Sequence, residues 1–115
     1  MKKVIKSFSY AWHGLLLAMK SELNLRIHLG AGVLVVIAGC YFKITRMEWA
    51  VLVIAVGFVL SLELVNTAIE KLADLVTKNK DPLAGKVKDI AAAAVMIGSM
   101  AAAIAGIIIF SNYIF

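Results

Sequence analysis

The sequence has few residues that cross-link a chain or interrupt a helix. It contains one cysteine, Cys40, so no disulfide can form within the chain, and one proline, Pro82. No charged residue occurs between Leu29 and Phe42, between Trp49 and Leu62, or from Ile90 to Phe115. Internal repeats, linkers and low-complexity segments are also absent. We therefore expect a single domain, 1–115, in which long uncharged runs are the main feature.

The composition excludes an ordinary soluble domain. The chain has 115 residues, of which 63% are hydrophobic, and its mean hydropathy is +0.94. A soluble domain of this size cannot bury so much apolar surface, so lipid must be the solvent for part of the chain. The formal net charge is +5. The basic residues flank the apolar runs without an aromatic stacking surface among them, which favours a membrane over nucleic acid as the partner.

The hydrophobic pattern predicts an all-α membrane protein. Apolar residues at helical spacing predict a basic amphipathic helix at about 4–21, which should lie in the membrane interface with Phe8 and Trp12 on its apolar face. Longer apolar runs predict three transmembrane helices, at about 23–42, 47–70 and 88–113.

The basic residues predict the orientation of the three spans. Lys43 and Arg46 lie on one side of the membrane, and the ten others lie on the opposite side: Lys2, Lys3, Lys6, Lys20, Arg26, Lys71, Lys78, Lys80, Lys86 and Lys88. Because cytoplasmic loops carry an excess of Lys and Arg, we expect a multi-pass cell-membrane protein. Its N-terminus and a loop at 71–88 should be cytoplasmic, and its C-terminus should lie outside.

One face of the second span carries polar groups. Glu63, Asn66, Glu70 and Asp74 are spaced by three, four and four residues, so they share one helical face. An ionisable side chain inside a membrane costs at least about 2.5–3.5 kcal/mol on insertion scales, which makes it a functional-site hypothesis. The alternative is a helix that has left the bilayer and has a solvated acidic face, and this alternative fits Asp74 best.

The expected depth of each acidic side chain in the membrane indicates the chemistry that it can perform. Glu63 lies fifteen residues beyond Glu48, or about 22 Å along a helix, which places it in the inner leaflet near lipid hydroxyl groups. A carboxylate held out of water can act there as a general base towards a hydroxyl. Glu70 lies further on, at the water boundary, and Glu22 lies at a similar level on the first span.

The remaining groups suit phosphoryl transfer. Carboxylates at the interface can hold Mg²⁺ together with substrate phosphates, and Lys88 and Asp89 add a phosphate-binding cation and another acid. The sequence lacks the Gly-rich nucleotide loops of soluble kinases, because Gly85-Lys86 has neither the upstream glycine nor the following Ser or Thr of a P-loop. The isolated histidines, His13 and His28, are given no catalytic role.

Four segments resemble one family. Glu63-Leu-Val-Asn-Thr-Ala-Ile-Glu70, followed by Asp81-Pro-Leu-Ala-Gly-Lys-Val-Lys88-Asp89, is similar to the signature of the small integral-membrane diacylglycerol and undecaprenol kinases. Tyr10-Ala-Trp12-His-Gly14 and Ser21-Glu22-Leu-Asn-Leu-Arg26-Ile-His also match in order and spacing. The resemblance covers essentially the whole chain, and E-x-x-N-x-x-x-E within a membrane span is far more specific than a lone P-loop.

The resemblance implies a homotrimer of three-span subunits, with sites shared between subunits, that phosphorylates a membrane lipid alcohol with MgATP. It implies that Glu63 is the general base, that Asn66 supports the site, and that Glu22 and Glu70 ligate Mg²⁺ with the ATP phosphates. The residues expected around ATP are Lys3, Tyr10, Glu22, Glu70, Asn79, Lys80, Asp81, Lys88 and Asp89. Those expected to face the lipid are Trp12, Arg26, Glu63 and Ala92.

The resemblance also bears on which lipid is used. The diacylglycerol kinases of the family typically have Gly-Ser where this chain has Ala91-Ala92, and the undecaprenol kinases resemble the alanine-rich form. The Arg26-Ile-His28-Leu segment is likewise similar to the undecaprenol kinases. We therefore expect undecaprenol as the substrate, giving undecaprenyl phosphate, with diacylglycerol as the alternative that would give phosphatidic acid.

Two other functional classes fit parts of the sequence. A small membrane transporter could use Glu63 to carry protons, but the acids cluster towards one interface and only three spans are present. A non-enzymatic packing subunit could use the small residues Gly98, Ala102 and Gly106, which are spaced by four and allow close helix approach. That second class leaves the acidic face unexplained.

Overall fold

The computed structural model describes all of residues 1–115 and is entirely helical. Its four helices are α1 (Lys2–Ser21), α2 (Leu23–Phe42), α3 (Arg46–Val76) and α4 (Pro82–Ile114). The last three are long and apolar enough to cross a membrane. The prediction of an all-α chain with three candidate membrane spans is therefore confirmed.

Helix α1 projects from the other three helices. Ala18 is its only buried residue, and the half-buried residues of α1, Leu15 and Met19, lie near its C-terminal end. Glu22 separates α1 from α2 because its backbone is extended, with φ −120° and ψ 112°. The change of direction at one residue leaves most of α1 exposed, while its last turns contact α2 and α3.

The turn between α2 and α3 is fixed by local backbone chemistry. Lys43 ends α2 in the left-handed region, with φ 53°, and its N–H donates to the carbonyl of Gly39. Thr45 then caps α3, because its side chain accepts a hydrogen bond from Glu48 N while the Glu48 carboxylate accepts one from Thr45 N, at 3.2 and 2.9 Å. This reciprocal capping box satisfies two free N–H groups, so α3 begins at Arg46.

The predicted loop at 71–88 is wrong in extent. Helix α3 continues to Val76 and α4 begins at Pro82, so only 77–81 are not helical. Asp81 is responsible for the early start of α4, since its Oδ1 accepts hydrogen bonds from Leu83 N and Ala84 N at 2.8 and 3.4 Å. Pro82 occupies the first turn, where its missing N–H is not needed. The two helices therefore extend beyond the predicted spans 47–70 and 88–113.

Helices α3 and α4 form an antiparallel pair that is held at both ends. At one end the Tyr113 hydroxyl donates to Glu48 Oε1, and at the other Lys88 Nζ lies 2.5 Å from Asp74 Oδ1. Near the Tyr113 end, a small buried cluster joins the α2–α3 turn to both helices through Ile44, Leu52 and Ile109.

Close helix approach depends on two glycines. A Cβ added at Gly39 would lie 2.6 Å from Cη2 of Trp49 and 3.2 Å from Cδ1 of Ile44. One added at Gly98 would lie 2.5 Å from Cδ1 of Leu62. A Cβ at Gly106 would meet nothing within 4 Å, so the stripe of small residues on α4 contacts α3 at Gly98 and leaves space at Gly106.

We expect Gly39→Ala to destabilise the chain, whereas Gly30→Ala on the same helix should not. The new methyl at position 39 meets the rigid indole of Trp49, and overpacking of this kind costs about 1–3 kcal/mol. At Gly30 there is no neighbour within 4 Å, and the change should stabilise the helix by up to about 1 kcal/mol. Reversible unfolding in detergent micelles measures both effects; equal stability of the two variants would show that the Gly39–Trp49 contact is unimportant.

Candidate active site

The polar face of α3 changes gradually from buried to exposed. The exposed fraction of Glu63 is 3% and that of Thr67 is 4%. Asn66 and Glu70 are half-buried, and the Asp74 side chain is 66% exposed. The structure thus confirms that a desolvated acid lies at one end of this face and a hydrated acid at the other. Asp74 fits the alternative of a solvated surface position.

The buried carboxylate of Glu63 contacts a histidine on α2. Oε1 of Glu63 lies 2.7 Å from Nδ1 of His28, whose side chain is 28% exposed. Both atoms are shielded from solvent, and neither has a hydrogen-bond partner. The two atoms are therefore in close contact without the alignment of a hydrogen bond. His28 had been given no catalytic role on the basis of the sequence, and its contact with Glu63 was not predicted.

Asn66 and Glu70 form the second part of the site. Nδ2 of Asn66 donates to Oε1 of Glu70 at 3.2 Å, which leaves Oε2 of Glu70 without a partner in the chain. The amide oxygen of Asn66 is buried and unpartnered. Buried polar atoms are nearly always hydrogen-bonded in native proteins, so each exception needs an explanation. A free acceptor between two carboxylates is consistent with a site that binds a polar group.

The third part of the site is the contact between the ends of α3 and α4. Lys88 Nζ lies 2.5 Å from Asp74 Oδ1, and the two side chains are 38% and 66% exposed. The pair brings the basic start of α4 beside the hydrated end of the acidic face. Lys88 is therefore on the same side of the molecule as Glu70 and is accessible to a ligand.

An apolar groove of about 630 Å³ lies between α2, α3 and α4. It is lined at one end by His28 and Ser99 and at the other by Phe110 and Phe115. Ser99 Oγ is buried without a partner. His28 thus lines one end of the groove and also contacts Glu63 through Nδ1, whereas Glu63 itself does not line the groove.

The structure does not gather every residue that the sequence analysis assigned to the site. The predicted ATP residues Lys3 and Tyr10 are exposed on α1, Asn79, Lys80 and Asp81 lie in the exposed turn before α4, and Asp89 is exposed on α4. Asp81 is already engaged as the cap of α4. Of the predicted lipid-facing residues, Trp12, Arg26 and Ala92 are exposed. None of these side chains forms a hydrogen bond or an ion pair with the acidic face.

The metal-binding prediction rests on two carboxylates. No group of three or more His, Cys, Asp or Glu side chains comes together in the chain. Mg²⁺ commonly binds one or two carboxylates and completes its shell with water and substrate phosphates, so a dedicated cage is not required. Glu70, with Oε2 free, and Glu22, half-buried between α1 and α2, offer donors of the right kind.

The sequence matches one protein family over most of its length. A family model described as prokaryotic diacylglycerol kinase matches residues 9–110. The undecaprenol kinase of Bacillus subtilis (strain 168) is 36% identical over 110 residues, which are 96% of this chain and 89% of that protein. The diacylglycerol kinase of Synechocystis sp. is 39% identical over 104 residues, which are 90% of this chain but 59% of that protein.

A third relative has the same overall extent. The diacylglycerol kinase of Escherichia coli (strain K12) is 31% identical over 102 residues, which are 89% of this chain and 84% of that protein. These relatives are named kinases of undecaprenol or diacylglycerol, and the residues matched by the family model include all of α2, all of α3 and Lys88. The chain belongs to the prokaryotic diacylglycerol kinase family and is a lipid kinase.

Proposed function

We propose that this chain transfers the γ-phosphate of MgATP to the hydroxyl of a membrane lipid alcohol, and that the physiological alcohol is undecaprenol. The observation that carries the proposal is the buried Glu63 at one end of a polar face that becomes hydrated along α3. A lipid hydroxyl approaches from the apolar side and a nucleotide from the aqueous side. The two substrates therefore meet along one helix.

Glu63 is proposed as the general base. The hydroxyl gives its proton to the carboxylate while its oxygen forms a bond to the γ-phosphorus, and the bond from that phosphorus to the bridging oxygen breaks to release ADP. Such a transfer depends mainly on positioning and on neutralising charge. Asn66 would hold Glu70 in place through the hydrogen bond between them, and would leave its own amide oxygen available to the site.

Glu22 and Glu70 are proposed to hold Mg²⁺. When bound, the metal would neutralise charge on the phosphate oxygens. Lys88 would bind a phosphate as a point charge, which it can do because its side chain is partly exposed. Lys3, Tyr10, Asn79, Lys80, Asp81 and Asp89 complete the proposed ATP site. They are exposed and apart from the acidic face in one chain.

A homotrimer with shared sites is proposed for that reason. Lys3 and Tyr10 of α1 are exposed and form no hydrogen bond with the acidic face of their own chain, so a neighbouring copy would supply them. Large apolar side chains are exposed on all four helices, including Phe8, Ile37, Phe58 and Ile107.

The proposed orientation follows from charge. With the N-terminus and the segment 77–81 in the cytoplasm, Glu70, Asp74 and Lys88 face cytosolic ATP, and Glu63 lies below them in the inner leaflet. Lys43 and Arg46, at the opposite end of the helices, then lie outside. The family assignment favours this kinase over a proton-carrying transporter or a packing subunit.

Undecaprenol is proposed as the lipid on two grounds. The Bacillus subtilis undecaprenol kinase is 36% identical and matches nearly the full length of both chains. The groove beside His28 is lined mainly by apolar side chains, and a polyprenol has one hydroxyl and an apolar tail. Diacylglycerol brings two ester carbonyls that need donors, and Ala92 offers none. We propose that Ala92, together with Trp12 and Arg26, faces the lipid.

The role of Glu63 can be tested by Glu63→Gln, which keeps the shape of the side chain. Turnover at saturating MgATP and lipid should fall by at least about 10², because loss of a general base typically costs 10²–10⁴. Glu48→Gln, at the other end of α3, is the matched control and should retain turnover. Near-native turnover of Glu63→Gln in a correctly assembled protein would remove Glu63 from this role.

The metal ligands can be tested by Glu22→Gln and Glu70→Gln. Each variant should raise the Mg²⁺ concentration for half-maximal activity by at least about tenfold, since even outer-shell partners of a metal contribute 10–100-fold to its affinity. The lipid KM should change by less than about twofold, because the metal binds with the phosphates. Titrations of Mg²⁺ at saturating lipid measure this; an unchanged Mg²⁺ dependence in both variants would mean that both residues are structural.

The lipid assignment can be tested by comparing kcat/KM for undecaprenol and diacylglycerol in the same micelles. The native chain should prefer undecaprenol. Ala92→Ser should shift the ratio towards diacylglycerol by about fivefold or more, because an unmade hydrogen bond to a buried acceptor costs about 1–3 kcal/mol. Ala94→Ser is the control, since residue 94 is also exposed but lies about 200° around the helix.

The outcomes of the lipid comparison separate two claims. Native preference for diacylglycerol would overturn the lipid assignment and leave the kinase intact. Native preference for undecaprenol with equal responses to the two serine substitutions would overturn only the role of Ala92.

A further inference from the structure

The side chain of Glu63 has one polar neighbour in the chain. Its Oε1 lies 2.7 Å from Nδ1 of His28, and both atoms are buried without another partner. Nearby, Thr67 bonds to the backbone carbonyl of Glu63 at 2.9 Å and does not touch the carboxylate. The hydrogen bond of Asn66 goes to Glu70 instead. The one polar contact of the carboxylate within the chain therefore comes from α2, through His28.

We propose that His28 is a positioning residue for Glu63 in the phosphoryl transfer. By holding Oε1, the imidazole fixes the rotation of the carboxylate, and Oε2, which has no hydrogen bond in the chain, is left to take the proton of the lipid hydroxyl. A base oriented by a third group in this way is a recurring arrangement in enzymes that activate a hydroxyl. The inference rests on the proposed role of Glu63 as the general base.

The position of His28 favours this role over a simple link between helices. The His28 side chain lines the apolar groove and contacts the Glu63 carboxylate through Nδ1, so it belongs both to the groove and to the proposed site. Helices α2 and α3 are already joined by Gly39 against Trp49 and by Gly32 against Val56. Because the Glu63 carboxylate is shielded from water, it needs a polar partner, and His28 is the partner that the chain supplies.

Two substitutions of His28 test whether the nitrogen at the position of Nδ1 matters, as distinct from the imidazole ring as a whole. His28→Ala removes the contact and should lower kcat at saturating MgATP and lipid by about 10- to 100-fold, the range that a misplacement of about 1 Å can produce. His28→Asn places an amide nitrogen the same number of bonds from Cα as Nδ1, and it should recover at least half of the loss on a logarithmic scale. The lipid KM and the Mg²⁺ requirement should change by less than about threefold.

The chain offers a matched control in its other histidine. His13 lies on exposed α1, and its Nδ1 contacts the backbone oxygen of Ser9 at 2.7 Å. His13→Ala should leave kcat unchanged. Combining His28→Ala with Glu63→Gln should give no further loss beyond Glu63→Gln alone, because a positioning residue acts through the group that it orients.

A spectroscopic measurement keeps the inference testable if His28→Ala does not assemble. The two histidines give two sets of side-chain ¹⁵N signals in labelled protein in micelles. Glu63→Gln should move the Nδ1 signal of His28 and leave that of His13 in place. An unmoved His28 signal would show that the contact does not exist and would overturn the inference.

The remaining outcomes are equally decisive. Native kcat in assembled His28→Ala overturns the inference, as does an equal loss in His28→Ala and His28→Asn. A raised lipid KM with unchanged kcat also overturns it and makes His28 a lipid contact.

Failure of the proposed base is a separate outcome. If Glu63→Gln retains turnover, Glu63 is not the general base, and the ¹⁵N signals still report whether His28 contacts residue 63. If Glu63→Gln is inactive while His28→Ala is native-like, only the present inference fails.

Discussion

A buried carboxylate within an apolar helix is the constraint on which the rest of this structure depends. Glu63 is only 3% exposed, so the protein must supply a partner for its carboxylate or leave a shielded charge at a cost of several kcal/mol. The partner is His28, and it can reach Glu63 only because α2 packs closely on α3 through Gly32 and Gly39. Helix α4 packs on α3 in turn through Gly98. The small residues at these contacts therefore set the helix packing that brings His28 to the carboxylate of Glu63.

Much of the fold followed from the sequence because lipid imposes a simple rule on helices. The bounds of α2, Leu23–Phe42, are those predicted, and α1 ends at the predicted Ser21. The prediction missed the C-terminal end of α3 and the start of α4, because hydrophobicity marks the part of a helix that lies in lipid. The start of α4 is marked instead by the capping hydrogen bonds that Asp81 accepts. Each criterion measures a different boundary. The predicted gradient from a desolvated Glu63 to a hydrated Asp74 agrees with the structure, in which Glu63 is 3% exposed beside His28 of α2 and the Asp74 side chain is 66% exposed.

His28 was missed because helical periodicity describes one helix at a time and cannot identify a partner on another. A signal was nevertheless present in the numbering. His28 lies fifteen residues before Lys43, at the end of α2, and Glu63 lies fifteen residues after Glu48, in the first turn of α3. Two antiparallel helices that leave one turn for equal lengths, about 22 Å here, bring their residues to the same depth. Comparing depth between neighbouring spans would have paired the two residues. Depth alone does not show whether the two side chains point towards each other, because that depends on how α2 packs on α3 at Gly39.

The charges at the aqueous end of the helices are held in contacts that a nucleotide can displace. Lys88 pairs with Asp74, and both side chains are substantially exposed. Exposed ion pairs are typically worth about 0–1 kcal/mol, whereas a phosphate offers Lys88 more than one negative charge. In the proposed site, ATP would therefore displace Asp74 from Lys88 at little cost in free energy. While no nucleotide is bound, the Lys88–Asp74 pair would limit the charge repulsion among the basic residues near Lys80 and Lys86.

Asp81 is held differently, because its Oδ1 accepts hydrogen bonds from the first N–H groups of α4. A ligand that bound this oxygen would leave those N–H groups without an acceptor. Its contribution to an ATP site is consequently to set where α4 begins, and with it the position of Lys88 two turns further along the helix.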